Sequence, residues 1–95
     1  MLVRLTEVVK SNYQSGRQYS LREIFVNPSS ITMIASDSQT KTHLEEGLLP
    51  EGIDDRADFS RVSINTGGHH TSLVAVGAPE IIESKLRNSR QLLKG

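Results

Sequence analysis

Apolar residues along this chain come in short runs separated by polar breaks, and five of those runs have the length and make-up of strands. Leu2–Lys10 (LVRLTEVVK) is dense in Leu, Val and Thr. Ser11–Gln18 is polar, holds Gly16 and reads as a loop. Residues 19–27 (YSLREIFVN) form the second run, with Ile24 and Val26 on one face and Leu21, Glu23 and Phe25 on the other. The run closes on Asn27-Pro28-Ser29-Ser30, a turn signal with a mechanism. Pro28 fixes its own φ and pushes Asn27 out of the helical region, while Asn and Ser side chains bond nearby backbone. Ile31–Ser36 (ITMIAS) is the third run.

The last third of the chain carries the densest pattern. In Phe59–Thr66, Arg61, Ser63 and Asn65 alternate with Val62 and Ile64, which gives one polar and one apolar face. Gly67-Gly68 supplies the positive φ that a two-residue hairpin needs, and residues 69–76 return as the fifth strand. Gly77-Ala78-Pro79 opens a helix over 79–93. Proline suits the first helical position, and Ile82, Leu86, Ser89 and Leu93 recur at helical spacing with Ile81 and Leu92 beside them. The expected fold is therefore α+β in one domain, 1–95. It has an antiparallel sheet of about five strands (2–10, 19–27, 31–36, 59–66, 69–76) and a C-terminal helix. Sequential pairing is the simplest topology, with the helix on one face of the sheet or against a neighbouring subunit. Residues 37–58 are acidic, contain Gly47, Pro50 and Gly52, and read as an exposed excursion. One or two helical turns are expected over Thr42–Leu48, capped by Thr42 with Glu45 three residues on.

Composition narrows the function. Only 36% of the 95 residues are apolar, the aromatics are two Tyr and two Phe, and there is no Trp or Cys. A lean core makes self-association the expected supplement to stability, since disulfides and zinc–thiolate sites are excluded. The formal net charge is zero, which removes the bulk electrostatic case for nucleic acid or a membrane surface. That charge is unevenly placed: residues 45–58 hold six carboxylates against Arg56, whereas residues 84–95 hold Lys85, Arg87, Arg90 and Lys94 and no anion. No leader-like succession and no membrane-length apolar run appears, so a cytoplasmic protein is expected.

No nucleophile elbow, paired metal ligands or P-loop is present, and the expectation is binding without catalysis or cofactor. Arg87 and Arg90 share a helical face and form a candidate phosphate clamp, although cations at a helix C-terminus also suit its dipole. Gly67 and Gly68 let backbone approach a ligand closely. Asn65, Arg61, and His69 or His70 stand beside them as polar contacts. Adjacent histidines on a strand point to opposite faces, so a shared metal is not expected. Phe25 offers a stacking surface, with a core position as its commoner role.

The segments LVRLTEV (Leu2–Val8), EIFVNPSSITMI (Glu23–Ile34) and RVSINTGGHHTSLVAVGAPEIIESKL (Arg61–Leu86) resemble the short flagellar FlbD family across about half the chain. Asn27, Ile31, Ile64, Gly68 and the Ile81–Ile82 pair match best, while Ser11–Gln18 and residues 37–58 depart from the pattern. That resemblance implies a small β-protein that docks a partner chain. In size, lack of cysteine, and a sheet followed by a basic helix, the chain also resembles the phage Thoeris anti-defence sponges, which sequester cyclic ADP-ribose signals. That second resemblance implies a phage-associated homo-oligomer in the host cytoplasm, with Arg87 and Arg90 on the phosphates and Phe25 near a base. The leading expectation is thus a non-enzymatic sponge for a small anionic, nucleotide-like ligand, with an FlbD-like interaction module as the alternative.

Overall fold

The computed structural model describes residues 1–10, 19–50 and 52–94, the last six of these by backbone alone. The strands are β1 (Val3–Lys10), β2 (Tyr19–Val26), β3 (Ile31–Ser36), β4 (Phe59–Thr66) and β5 (His69–Val76), and the helices are α1 (Ser38–Glu45) and α2 (Pro79–Lys94). All strand pairs are antiparallel, as expected, in the order β2-β1-β5-β4-β3. None of the helices in the described residues is long and apolar enough to cross a membrane. Residues 11–18, read as a loop, lie outside the described residues.

Pairing is not sequential. β2 and β3 are neighbours in the chain, yet they are the two outer strands, and β1 pairs with β5 instead. The link explains this. A tight hairpin needs residues at positive φ, and none occurs between Val26 and Ile31. Asn27 is extended (φ −82°, ψ 118°), its Oδ1 accepts from the Ser29 amide at 3.0 Å, and Pro28–Ser30 make one 3₁₀ turn. The chain leaves that turn still heading the same way, so β2 and β3 run parallel.

The same link coils the sheet. Following the register across the strands, Val26 lies level with position 79 of a β5 extended three residues past its end, and Ile31 level with Thr71, eight positions apart. In a flat sheet the two would be roughly 30 Å apart, from strand spacing and rise per residue. Five residues of chain reach about 18 Å at most. The outer strands must therefore curl toward each other around whatever fills the concave side.

That filler is α2. Ile82 and Leu86 pack on Val3, Leu5, Val26, Val62 and Ala75, with Ile31, Ile34 and Ile64 at the margin. Gly77 makes the entry to the helix at φ 126°, tied by its amide to Asp58 O at 2.7 Å and by its carbonyl to the Ser60 hydroxyl at 2.7 Å. At the β4–β5 turn, Gly67 (φ 59°) and Gly68 (φ 90°) have the paired positive φ of a type I′ hairpin.

Residues 37–58 are not the exposed excursion expected from their charge. Helix α1 begins at Ser38, four residues before Thr42, because buried Asp37 caps it: Oδ1 accepts from the Thr40 amide and Oδ2 from the Thr40 hydroxyl, each at 3.1 Å. Leu44, Leu49, Ile53 and Ala57 lie between the acids and pack with Val8, Phe59 and Val74 on the sheet face opposite α2. Burying Leu49 and Phe59 supplies about 1.5–3 kcal/mol each. Lys41 Nζ closes the segment by donating to the Asp55 and Ala57 carbonyls at 3.0 and 2.6 Å. At its far side, Asp54 accepts from the Arg56 amide and guanidinium, which hold its carboxyl below the usual range.

Replacing Asp37 by Ala should cost about 1–2 kcal/mol through loss of the cap. Each kcal/mol lowers the midpoint of a domain this size by about 4–8 °C. Asp37→Asn should retain most of it. Thermal unfolding followed by circular dichroism checks both, and an unchanged Asp37→Ala midpoint would mean that sheet packing alone holds α1.

Candidate functional site

Among the described residues, coiling of the sheet leaves β3 with no strand on its outer side, and α2 passes beside it. Between them runs an open groove of about 690 Å³. Ile31 and Ile34 form its strand wall with Met33 along the β3 edge, and Pro79 and Leu86 belong to its helix wall, with Glu80, Glu83 and Arg87 along the rim. Helical spacing sorts these roles: Ile82 and Leu86 turn inward, whereas 80, 83 and 87 follow one another on the side facing β3. Glu83 and Arg87 form an exposed i,i+4 ion pair at 3.4 Å. On the strand, the register shifts between Ile31 and Met33. This irregularity keeps Ile31 and Ile34, three residues apart, both packed against the α2 core.

The polar groups of the outer edge follow from the ladder. Asp37 N donates to Phe59 O at 2.9 Å, which makes that pair hydrogen-bonded. In an antiparallel ladder such pairs alternate, so Ala35–Arg61 and Met33–Ser63 are bonded across β4. Ile34 and Ser36 therefore turn their N–H and C=O groups outward.

The expected site residues do not gather around one ligand. Arg87 is in the groove, on the α2 side of the sheet. His69 shares that side by strand parity, at the hairpin tip. Arg61, Asn65 and His70 point to the opposite face. Arg61 is occupied there, reaching the Ser72 hydroxyl at 3.4 Å and the Asp37 carboxylate at 3.7 Å. Asn65 Oδ1 is buried without a hydrogen-bond partner. Gly67, Gly68, His69 and His70 are all exposed. The side chain of Arg90 lies outside the described residues.

Phe25 is not a core residue. It is 62% exposed on the outer face of β2, where Arg4 lies opposite it and pairs with Glu23 at 3.0 Å. Its neighbours Ile24 and Val26 take the inward positions.

Sequence reasoning passed over Met33, Glu80 and Glu83. Carboxylates in the first turn of a helix suit its dipole, and Met33 is ordinary strand content, so neither signals a site by itself. The available signal was the turn at Asn27–Ser30, which precludes a hairpin partner for β3. Compared with protein-family models, curated proteins and solved structures, the chain matches none.

Because the Glu83–Arg87 pair is exposed, it contributes less than about 1 kcal/mol. Glu83→Gln and Arg87→Gln should each leave the thermal midpoint within a few degrees of the parent. A fall of 10 °C or more, well beyond about 1 kcal/mol in a domain this size, would assign the pair a structural role instead.

Proposed function

We propose that this protein is a non-enzymatic interaction module whose groove between β3 and α2 receives a polypeptide segment of a partner. The carrying observation is the coincidence in one place of an unpaired strand edge, an apolar floor and a charged rim. Pockets for small molecules enclose most of the ligand, whereas this groove is more open than enclosed. Extended peptides bind such grooves by main-chain pairing, with pockets for alternate side chains providing specificity. The FlbD-like pattern points the same way.

Arg87 on the groove rim favours a second reading, sequestration of a small anionic, nucleotide-like ligand between subunits. Its surroundings weigh against that reading. Arg87 is already paired with Glu83, and Glu80 adds a second carboxylate on the same side, which opposes a polyphosphate.

Panning a displayed library of random linear peptides on the purified protein tests the proposal. Binders of micromolar affinity are expected, and Met33→Glu should weaken them about tenfold or more by placing a charge on the otherwise uncharged edge strand. A panel of mono-, di- and cyclic nucleotides, with cyclic ADP-ribose isomers, is run beside it by thermal unfolding. A ligand at about 100 times its Kd adds about 2.7 kcal/mol to the folded state. Nucleotide stabilisation that disappears in Arg87→Gln, with no peptide binders, would replace the first reading by the second.

A further inference from the structure

We infer that the occupant of the groove is an extended strand that pairs its backbone with β3 and carries a basic side chain toward Glu80 and Glu83; this rests on the interaction-module reading above.

The two outer strands differ in a way that the fold alone does not require. Exposed strand edges invite pairing with other chains, and proteins blunt them with charges, Pro or bulges. β2 is guarded. It carries Arg22 and Glu23, which reach across to β1 in ion pairs with Glu7 at 2.7 Å and with Arg4 at 3.0 Å. β3 is Ile-Thr-Met-Ile-Ala-Ser, with no charge and no Pro. Its one irregularity lies between Ile31 and Met33, at its start, and the stretch from Met33 to Ser36 keeps a regular register with β4. An unguarded edge that lies beside a helix and a trough is a place for a strand to add.

The backbone geometry sets the register of that addition. Ile34 and Ser36 present their outward N–H and C=O groups, so two ligand residues spaced two apart exchange hydrogen bonds with them. At about 3.3 Å per residue, the six residues of β3 span about 20 Å, room for a ligand segment of five or six residues. Side chains of the added strand alternate. One set lies toward the α2 side, against Ile31, Ile34, Pro79 and Leu86, and the other toward solvent.

Charge then selects among extended peptides. Among the described side chains the rim holds two carboxylates, Glu80 and Glu83, against one guanidinium, Arg87. Glu80 has no ion-pair partner among the described residues, and the Glu83–Arg87 contact is long and exposed. A Lys or Arg in the added strand neutralises the excess, whereas an acidic residue there adds to it. The ligand class is therefore an extended segment of alternating apolar residues with a basic residue at an inward position.

The test uses the full chain and the same random-peptide library. Enrichment of Lys or Arg among the binders is expected, together with a weakening of about fivefold to tenfold in the doubly substituted Glu80→Gln, Glu83→Gln protein at low salt. A selected peptide is then resynthesised with single N-methyl groups along its backbone. Methylation at alternate positions should abolish binding and leave the intervening positions unaffected, because only every second amide faces β3. Binders without basic residues, or indifferent to the double substitution, overturn the charge assignment. Binders insensitive to every N-methyl group overturn strand addition but leave an interaction module standing. Sedimentation that shows a dimer dissociated by Met33→Glu would assign the edge to a second copy and overturn the inference. No binders at all would bring down the interaction-module reading and this inference together.

Discussion

The shortness of the step from Val26 to Ile31 governs this molecule. A longer link would let β2 and β3 lie anywhere, and a glycine-bearing one would fold them into a hairpin. The four residues Asn27–Ser30 do neither. They keep the chain moving in one direction while demanding that the ends of the outer strands stay close. The N-terminal hairpin must then find its second partner in β5, and the sheet must coil. Ile82 and Leu86 occupy the resulting concavity. The open edge of β3 and the groove beside it are left over from the same constraint.

What the sequence made legible is what depends on neighbouring residues. The β4–β5 hairpin was readable because Gly67 and Gly68 serve a local backbone need. Helix α2 was readable because Pro79 and the Ile82–Leu86 spacing lie within one element. The strands were bounded to within a residue or so for the same reason. Pairing order was not legible, since the choice of β5 over β3 as a partner is decided by link geometry and by packing between distant segments. Residues 37–58 show the complementary failure. Their acids dominate the composition, yet four spaced apolar side chains and the buried carboxylate of Asp37 decide where the segment goes.

The site was legible only in part. Arg87 stood out as a cation on a helix face, and it does line the groove. The company it keeps was hidden, because Glu80 and Glu83 become rim residues only once β3 is known to lie alongside them. Phe25 shows how strand parity can outrank residue type. With Ile24 and Val26 committed inward, the larger ring is turned to solvent despite its apolar surface. Asn65 and Arg61 are polar residues like Arg87, but alternation along β4 places them on the other side of the sheet.

The pairing of β1 with β5 has a consequence in time. The middle of the sheet is made from the first strand of the chain and the last, so it cannot be assembled from either half alone. On a ribosome, the β1–β2 hairpin emerges early with one edge and one apolar face unpartnered, and it must wait for β5 and α2 before either is covered. Closing so large a loop before the central ladder forms costs chain entropy, which puts this domain among the slow folders for its length. Charges along β2 then serve a purpose before the native state exists. They discourage the waiting hairpin from pairing with another copy of itself.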